Sequence, residues 1–325
     1  MMEVTKADAE MILLDTITEE VMNSSRLNLE YLVEDRVRSS VCKRLGIEHP
    51  GKIALREDGV VGMIMDATQN YRLPLTKERL FQWNSMLFCD DHARPITIGE
   101  YRQEVLAVVS GALGKEHIHY VPPLPGDVEQ EMEILLKWLE EDRTDDLVKS
   151  AVAHIWLIMI HPFEDGIGRI ARAVSEMVLA RSEDCCKRYY SLSSRIYKER
   201  MKYCDIVERN VQGDGDITKW IEWFLSCTMR AVEDSIAKIG PKLEKSEFWQ
   251  VNSAVVMNER QCRMMNMLLD GALEDLTSSE WAKINHCSQD TAINDIKYLI
   301  EKRILAKSLG GCRSTRYVLA AKKPH

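Results

Sequence analysis

The stretch HPFEDGIGRIAR, residues 161–172, decides how the rest of the chain is interpreted. It follows the apolar run LVKSAVAHIWLIMI at 147–160, which is long enough for a buried helix. Pro162 should end that helix, because the residue before a proline is pushed out of helical geometry. After the loop, RIARAVSEMVLAR at 169–181 again has apolar residues at helical spacing. The pattern predicts two helices joined by a loop that carries a histidine, an acid, two glycines and two arginines.

The residue types in this loop describe a phosphate site. Gly166 and Gly168 allow close backbone approach and unusual dihedral angles. Backbone N–H groups at the start of the second helix, where the helix dipole is positive, suit an anion. Arg169 and Arg172 are three residues apart, so both side chains lie near one face above that N-terminus. Guanidinium groups match phosphate oxygens, which makes both arginines candidate ligands.

Two further side chains in the loop could bind a metal and transfer a proton. Asp165 can supply a hard oxygen ligand to Mg²⁺, which usually binds through one or two carboxylates plus substrate phosphates. His161 is left as the general base, since an imidazole titrates near the operating pH. Each feature alone has a simpler structural explanation, such as a packing histidine or a solvated arginine pair. Their occurrence together within twelve residues favours a functional site.

The stretch resembles the motif of the Fic family, HPFx[D/E]GNGRxxR, and departs from it at Ile167, where the family has Asn. Fic proteins are all-helical and mostly transfer AMP from ATP to a hydroxyl of a target protein. The resemblance implies an all-α fold with a Fic-type helical core and a protein adenylyltransferase that uses ATP with Mg²⁺ or Mn²⁺. An Ile keeps the backbone N–H but loses the side-chain amide and is stiff in a tight loop, so reduced activity is expected.

The resemblance also assigns roles by position. His161 would deprotonate a Ser, Thr or Tyr hydroxyl of the protein substrate, and Asp165 would hold the metal. The backbone of residues 166–168 would form the anion hole. Arg169 would bind phosphate, and Arg172 would reach the γ-phosphate of the nucleotide.

The first 46 residues are predicted as two helices with a break or cap near Ser24. They resemble the inhibitory segment of one Fic subfamily, whose pattern is SSxIEGE followed by VRSSIxRRLG. The family's inhibitory glutamate, which pairs with the second motif arginine, falls on Asn28. Glu30 cannot replace it on a continuous helix, because two residues correspond to a rotation of roughly 200°. Two interpretations remain open: an inhibitory segment that places Ser24 and Asn28 at Arg172, or a helix that only packs.

The segment GALGKEHIHYVPPLPG at 111–126 carries a strand or hairpin signal in an otherwise helical chain. A metal site at its two histidines lacks a third ligand nearby. In Fic proteins a β-hairpin flap before the active-site helices positions the target peptide by main-chain pairing, and this segment resembles that flap. The residues assigned to target positioning are His117, Ile118, His119 and Tyr120.

Beyond the motif, residues 193–210 are predicted to be helical, and Tyr203 is a weak candidate for the adenine side of the nucleotide site. An amphipathic helix at 216–235 should be broken by Gly240-Pro241, which gives the best domain boundary. The predicted organisation is an N-terminal helical segment (1–46), a Fic core (47–240) and a winged-helix domain (241–325).

The last of these regions has a helix-turn-helix pattern and then two short strands around Gly310-Gly311. It is locally basic, and DNA binding would need that charge plus a helix able to enter the major groove. A structural or dimerisation role, with a possible homodimer, is equally open. The acidic residues that weaken the DNA interpretation are Asp290, Asp295 and Glu301.

Length and composition set outer limits on these interpretations. The 325 residues suffice for two or three domains, and the net charge of −8 argues against a general nucleic-acid coat. Nine cysteines without a CxxC pair predict reduced thiols in a cytoplasmic protein. No apolar stretch is long enough to predict a membrane span or resembles a signal peptide.

The leading hypothesis is an enzyme that moves AMP from Mg·ATP onto a protein hydroxyl. The alternative, favoured by Ile167 and Asn28, is a catalytically degenerate Fic protein that acts as a DNA-binding or protein-interaction module.

Overall fold

The computed structural model describes residues 6–48, 51–90, 96–110, 117–308 and 315–320. The chain divides into two compact units. The larger unit is Glu10–Ser235, and the smaller unit combines Met1–Ala9 with Ile236–His325.

Within its described residues, the larger unit is helical apart from one short hairpin. Its elements, of which the first and last extend beyond it, are α1 (Lys6–Leu27), α2 (Glu34–Leu45), α3 (Leu55–Gln69), α4 (Lys77–Leu87), β1 (Val108–Ser110), β2 (His117–Tyr120), α5 (Pro125–Glu141), α6 (Asp146–Ile160), α7 (Ile167–Ser182), α8 (Leu192–Lys198), α9 (Arg200–Val211) and α10 (Thr218–Val251). The fold class predicted from sequence, all-α, is therefore confirmed.

Helices α6 and α7 form the centre of this unit and are joined by the 161–172 loop region. Asp145 caps α6 by accepting the N–H of Leu147, and the helix ends at Ile160, as Pro162 requires. Both helices bury apolar residues within the main core, including Leu157 and Met177. A helix that is apolar almost all round is stable only when it is covered on most sides, and α2 to α5 supply much of that cover here.

A second apolar cluster covers another part of α6 and contains four buried aromatic side chains. Trp220, Trp223 and Phe224 of α10 pack there with Tyr203 of α9. The indole of Trp220 donates to the carbonyl of Ala151 at 2.7 Å, which satisfies its buried N–H.

Strands β1 and β2 pair in antiparallel fashion and form the flap hairpin. Val108 faces Tyr120 and Ser110 faces His117, with an irregularity between Val108 and Val109. The strand predicted at the HIHY sequence is confirmed. We use "flap" for these two strands.

Two boundaries differ from the predicted ones. Helix α1 does not break at Ser24 but continues to Leu27, because the Ser24 side chain is buried and engaged by another helix. Helix α10 continues through Pro241 to Val251. A proline displaces the carbonyl four residues earlier, and that residue, Ala237, is exposed, so water can satisfy it. The division between the compact units falls inside this helix, after Ser235.

The predicted division into an N-terminal segment, a core and a C-terminal domain stays a prediction. Residues from Glu10 onward belong to the same compact unit as α6 and α7.

The smaller unit contains three further helices and a second hairpin. These are α11 (Glu259–Leu269), α12 (Ser278–Ile284), α13 (Gln289–Glu301), β3 (Leu305–Lys307) and β4 (Tyr317–Leu319). Strands β3 and β4 are antiparallel, and Leu276 forms an isolated bridge with Tyr317. Ser288 caps α13, as predicted. The Gly310-Gly311 turn lies outside the described residues. The element order matches the predicted winged helix, an assignment that stays a prediction.

The eight cysteines in the described ranges are free thiols. A search of the same residues finds no helix with the length and apolar character needed to cross a membrane.

Candidate active site

The loop between α6 and α7 is fixed at its start by an unusual backbone and a buried ring. His161 has φ 50° and ψ 59°, which is left-handed and uncommon for a residue with a side chain. Phe163 is fully buried, with its ring centroid 6.2 Å from that of Phe81 and 5.9 Å from that of Tyr101. The packing of Phe163 holds the loop while His161 turns the chain.

Polar contacts fix the middle of the loop. Thr97 donates its hydroxyl to the Glu164 carboxylate at 2.6 Å, so Glu164 anchors the loop. The Asn84 amide donates to the backbone oxygen of Asp165 at 3.3 Å and accepts the N–H of Gly99 at 2.8 Å. The carboxylate of Asp165 accepts the N–H of Gly166 at 2.6 Å, which orients it at the start of α7.

The geometry requires glycine at position 166 and leaves little room for a side chain at position 168. Gly166 has φ 86°, and an added Cβ would lie 3.0 Å from a methyl carbon of Leu87. An added Cβ at Gly168 would lie 3.2 Å from Asn28 Oδ1 and 3.3 Å from Arg172 Nη1. The first N–H groups of α7 have no partner within the helix. Together with the helix dipole they make this end of α7 a place for an anion.

The second motif arginine is buried and held by α1 and the residue that follows it. Arg172 is 2% exposed. Its Nε donates to Ser24 Oγ at 2.9 Å, and its Nη2 donates to the Ser24 carbonyl at 2.7 Å and to Asn28 Oδ1 at 2.5 Å. The structure thus brings together the two inhibitory-segment positions predicted from sequence and Arg172.

The first motif arginine is held by Glu30. Arg169 is 1% exposed, lies over the ring of Phe88, and donates from Nη1 to the Glu30 carboxylate at 2.5 Å. Glu30 does not lie on the opposite face of a continuous helix, because α1 ends at Leu27. The chain then reverses through Leu29, at φ 59°, and the N–H of Glu30 bonds the Ser25 carbonyl at 3.0 Å. Position 30 lies beyond the end of the helix, so the rotation calculated for a continuous helix does not describe it.

Burial controls the protonation of His161. The pKa of His161 is lowered to about 4, chiefly because burial disfavours the charged ring, and the Arg102 guanidinium adds to this. The Ile158 carbonyl and Asp165 oppose the shift. The ring is therefore neutral near pH 7, and the lowered pKa makes it a weaker base than a free imidazole.

Tyr203 lies beneath Arg172, inside the second apolar cluster. Its hydroxyl is 3.0 Å from Nε2 of His154, whose Nδ1 is 2.9 Å from Ser175 Oγ. Burial raises the pKa of Tyr203 and the Arg172 guanidinium opposes that rise. Tyr203 is thus linked to Arg172 by a side-chain hydrogen bond, and a contact with adenine stays a prediction.

The flap is attached to the end of α6. The Tyr120 hydroxyl donates to the Met159 carbonyl at 3.0 Å, while the side chain of Ile118 is 56% exposed. The backbones of His117 and His119 lie in β2, and their side chains are outside the described part of the structure.

The residues at the site fit a magnesium ion that arrives with a nucleotide. Within the described residues no group of three or more His, Cys, Asp or Glu side chains could hold a metal by itself. Asp165 supplies one oriented carboxylate beside the end of α7 that suits an anion. One carboxylate plus phosphate oxygens is the usual ligand set of Mg²⁺ at a nucleotide site.

Sequence reasoning missed several residues that build this site. Asn84, Thr97 and Arg102 precede their hydrogen-bond partners in the motif by 59 to 81 residues and fix the loop through these long-range bonds. Such contacts leave no local pattern. Glu30 was visible in the SSxIEGE alignment, where it matches the last position.

Comparison with known proteins identifies the class. Residues 74–179 match the Fic/DOC family, and residues 1–47 match a domain of unknown function, DUF4172. The central part of the chain is a Fic/DOC domain, as its motif predicted.

Among curated proteins, the chain is similar to two called protein adenylyltransferase Fic. That from Nematostella vectensis is 27% identical over 201 residues, which cover 58% of this chain and 42% of the relative. The protein from Aedes aegypti is 30% identical over 145 residues, which cover 44% of this chain and 26% of the relative. The chain therefore matches less than half the length of either relative.

Solved structures agree on the fold. A Fic family protein from Desulfovibrio desulfuricans G20 superposes with a TM-score of 0.53 at 18% identity, covering 95% of this chain and 87% of that one. A Fic domain containing signaling protein from Bacteroides thetaiotaomicron VPI-5482 gives 0.54 at 22% identity, covering 72% and 90%. At these identities the likenesses show the fold alone.

Proposed function

We propose that this chain transfers AMP from ATP to a Ser, Thr or Tyr hydroxyl of a protein. The observation that carries the proposal is the meeting of a neutral His161 with the N-terminus of α7 and two buried arginines. The name protein adenylyltransferase, borne by the relatives, supports the same reaction.

In the proposed reaction, the target oxygen forms a bond to the α-phosphorus of ATP as the bond to the β-phosphate oxygen breaks, and pyrophosphate leaves. The neutral ring of His161 takes the proton from the target hydroxyl. The N–H groups at the start of α7 and the guanidinium of Arg169 bind the phosphate oxygens, and Arg172 binds the γ-phosphate. Mg²⁺, held by Asp165, would neutralise phosphate charge.

The segment of residues 24–30 competes with the nucleotide in this proposal. It holds both arginines, Arg172 through Ser24 and Asn28, and Arg169 through Glu30. ATP phosphates would have to replace these partners. The segment therefore acts as a restraint whose strength depends on the charge at positions 28 and 30.

The first experiment measures ATP binding by calorimetry, with and without Mg²⁺, and then AMP adducts on protein by mass spectrometry. We expect binding that Mg²⁺ strengthens and an adduct on the chain itself or on an added protein. A chain that binds no ATP would support the degenerate alternative instead.

One observation favours a second candidate function, DNA binding by the smaller unit. Asp295, which argued against it, is buried and accepts hydrogen bonds from Arg260 and Asn258 at 2.8 and 2.9 Å. It is absent from the exposed face of α13, which carries Asp290, Asn294, Lys297 and Glu301. Residues 236–325 carry 14 Lys and Arg against 10 Asp and Glu, although the whole chain is acidic.

Fluorescence anisotropy with a labelled DNA duplex tests this second candidate. Binding should weaken with rising salt, and Lys297→Ala should weaken it further. A duplex that fails to bind even at low salt would leave AMP transfer as the sole proposal.

A further inference from the structure

Arg102 lies in the loop between α4 and β1 and is 1% exposed. Its guanidinium bonds three backbone carbonyls: Nε donates to His161 at 2.8 Å, Nη1 to Glu104 at 3.1 Å, and Nη2 to Pro123 at 2.5 Å. Its own backbone N–H donates to the Pro162 carbonyl at 2.9 Å. All three guanidinium bonds described by the structure therefore go to main-chain oxygens.

A buried arginine is usually paired with a carboxylate, because removing its charge from water is costly. Arg102 is stabilised by carbonyl dipoles instead, and burial lowers its pKa. Carbonyls offer less compensation than a carboxylate would. The burial of Arg102 without a carboxylate partner therefore points to a role beyond packing.

The three carbonyls belong to the parts of the site that must be brought together. Glu104 precedes β1, Pro123 follows β2, and His161 is the proposed base. One side chain thus ties both ends of the flap to the backbone of the base. The bond from Tyr120 to Met159 is a second tie between the flap and the end of α6.

The tie to His161 also bears on its conformation. His161 adopts a left-handed backbone at φ 50°, which persists only where surrounding contacts enforce it. The Arg102 bonds to the carbonyls of His161 and Pro162 restrain the backbone on the C-terminal side of that residue. The guanidinium charge also helps keep the ring neutral.

We infer that Arg102 is a positioning residue, which sets the flap against His161 so that a hydroxyl held by the flap meets the base. The inference rests on the proposed function, since a flap matters only if a target is delivered. It assigns Arg102 no contact with substrate. Its effect is exerted through the backbone of His161 and through the two ends of the flap.

The test compares Arg102→Lys and Arg102→Met with a matched control, Arg181→Lys. Arg181 also donates to main-chain carbonyls, those of Tyr71 and Leu73, at 2.8 and 2.9 Å, but lies outside the catalytic loop and the flap. Lysine keeps the charge and loses the three-way geometry, whereas methionine loses both. If Arg102→Met does not fold, Arg102→Gln replaces it and retains an N–H donor.

Four readouts separate a positioning role from general damage to the fold. Amide exchange at residues 117–121 should accelerate in both Arg102 variants, and AMP transfer should fall about a hundredfold, the cost of a small misplacement. ATP affinity should change less than about twofold, since Arg102 touches none of the phosphate ligands. The pKa of His161, measured by NMR titration, should rise in Arg102→Met and stay low in Arg102→Lys. Arg181→Lys should alter none of these.

Unchanged amide exchange at the flap together with an unchanged His161 titration would overturn the inference. So would an equal loss of ATP affinity and transfer, which would indicate a merely structural residue. Exchange and titration require no activity. If the wild-type chain transfers no AMP, the proposed function fails, and these two readouts still decide whether Arg102 couples the flap to His161.

Discussion

The loop at 161–172 and the segment at 24–30 contribute to one site by different physical means. The loop supplies the groups that would do chemistry, and its shape follows from local sequence: a proline, two glycines and a helix start. The segment supplies a restraint, and its shape follows from distant contacts. Asn28 holds Arg172 with a neutral oxygen, whereas Glu30 holds Arg169 with a charged one. The comparison separates what makes the site reactive from what keeps it closed.

Removing the proposed base tests what the loop contributes to the site and should have the largest effect. We expect His161→Ala to lower AMP transfer by about 10² to 10⁴ while the fold and ATP affinity persist, because a base is lost and no core is removed. Transfer rates and the melting temperature, measured on the same preparation, check this. Transfer at the wild-type rate would remove His161 from the mechanism.

Placing the family's Asn at position 167 tests how much a side-chain amide adds to the loop. Ile167→Asn should raise transfer, and one preorganised donor is worth on the order of 10² to 10³ in rate. Ile167 is 8% exposed and packs in the main core, so the melting temperature should fall. Ile167→Val serves as the control that keeps the apolar contact. Equal transfer by Asn and Ile would show that the backbone N–H groups suffice.

A negative charge at position 28 tests how strongly the 24–30 segment competes with ATP. Asn28→Glu should weaken ATP binding by roughly tenfold to a hundredfold, because a carboxylate pairs with Arg172 more strongly than an amide does. In the Arg172→Ala background the same change should be nearly silent. Calorimetry of the four combinations gives the coupling. Equal ATP affinity for Glu and Asn at position 28 would place the segment away from the nucleotide.

Neutralising position 30 should have a smaller and opposite effect. Glu30→Gln keeps the size of the side chain, removes its charge from Arg169, and should strengthen ATP binding by about threefold to tenfold. Glu140→Gln is the matched control, since Glu140 pairs with Arg181 at 2.9 Å, outside the loop and the 24–30 segment. If both variants bind ATP like the wild type, Glu30 is no competitor of the phosphates.

The pH dependence tests the electrostatics of the loop with the smallest expected change. A base whose pKa is lowered to about 4 is neutral at every pH above roughly 5, so transfer should stay nearly level between pH 8 and about 5.5. An ordinary imidazole would lose half its neutral form near pH 6.5. A rate that halves near pH 6.5 would mean that burial does not lower the pKa of His161 during the reaction.

The sequence predicted those parts of the fold that depend on neighbours in the chain. Pro162 ends α6, Thr76 caps α4 by accepting the N–H of Arg79, and Ser288 caps α13. Each signal acts within four residues. The roles of His161 and Asp165 came from the motif, and the structure places both at the junction of α6 and α7.

Features that depend on distant contacts could not be predicted. The serines near the end of α1 suggested a break, yet Ser24 stays helical because Arg172, far along the chain, engages it. The end of α1 at Leu27 then turns Glu30 towards Arg169, which no periodicity argument could show. Arg102 reaches His161 across 59 positions. Pro241 lies inside α10 because its surroundings are exposed, a property that only the fold determines.

The most direct test of AMP transfer is to incubate the wild-type chain and a mixture of proteins with Mg²⁺ and ATP. The ATP is labelled at the α-phosphate in one sample and at the γ-phosphate in another. The account predicts covalent label on protein from the α-phosphate, with AMP found by mass spectrometry on a Ser, Thr or Tyr side chain. Label that enters protein only from the γ-phosphate, or from neither although ATP binds, would contradict it.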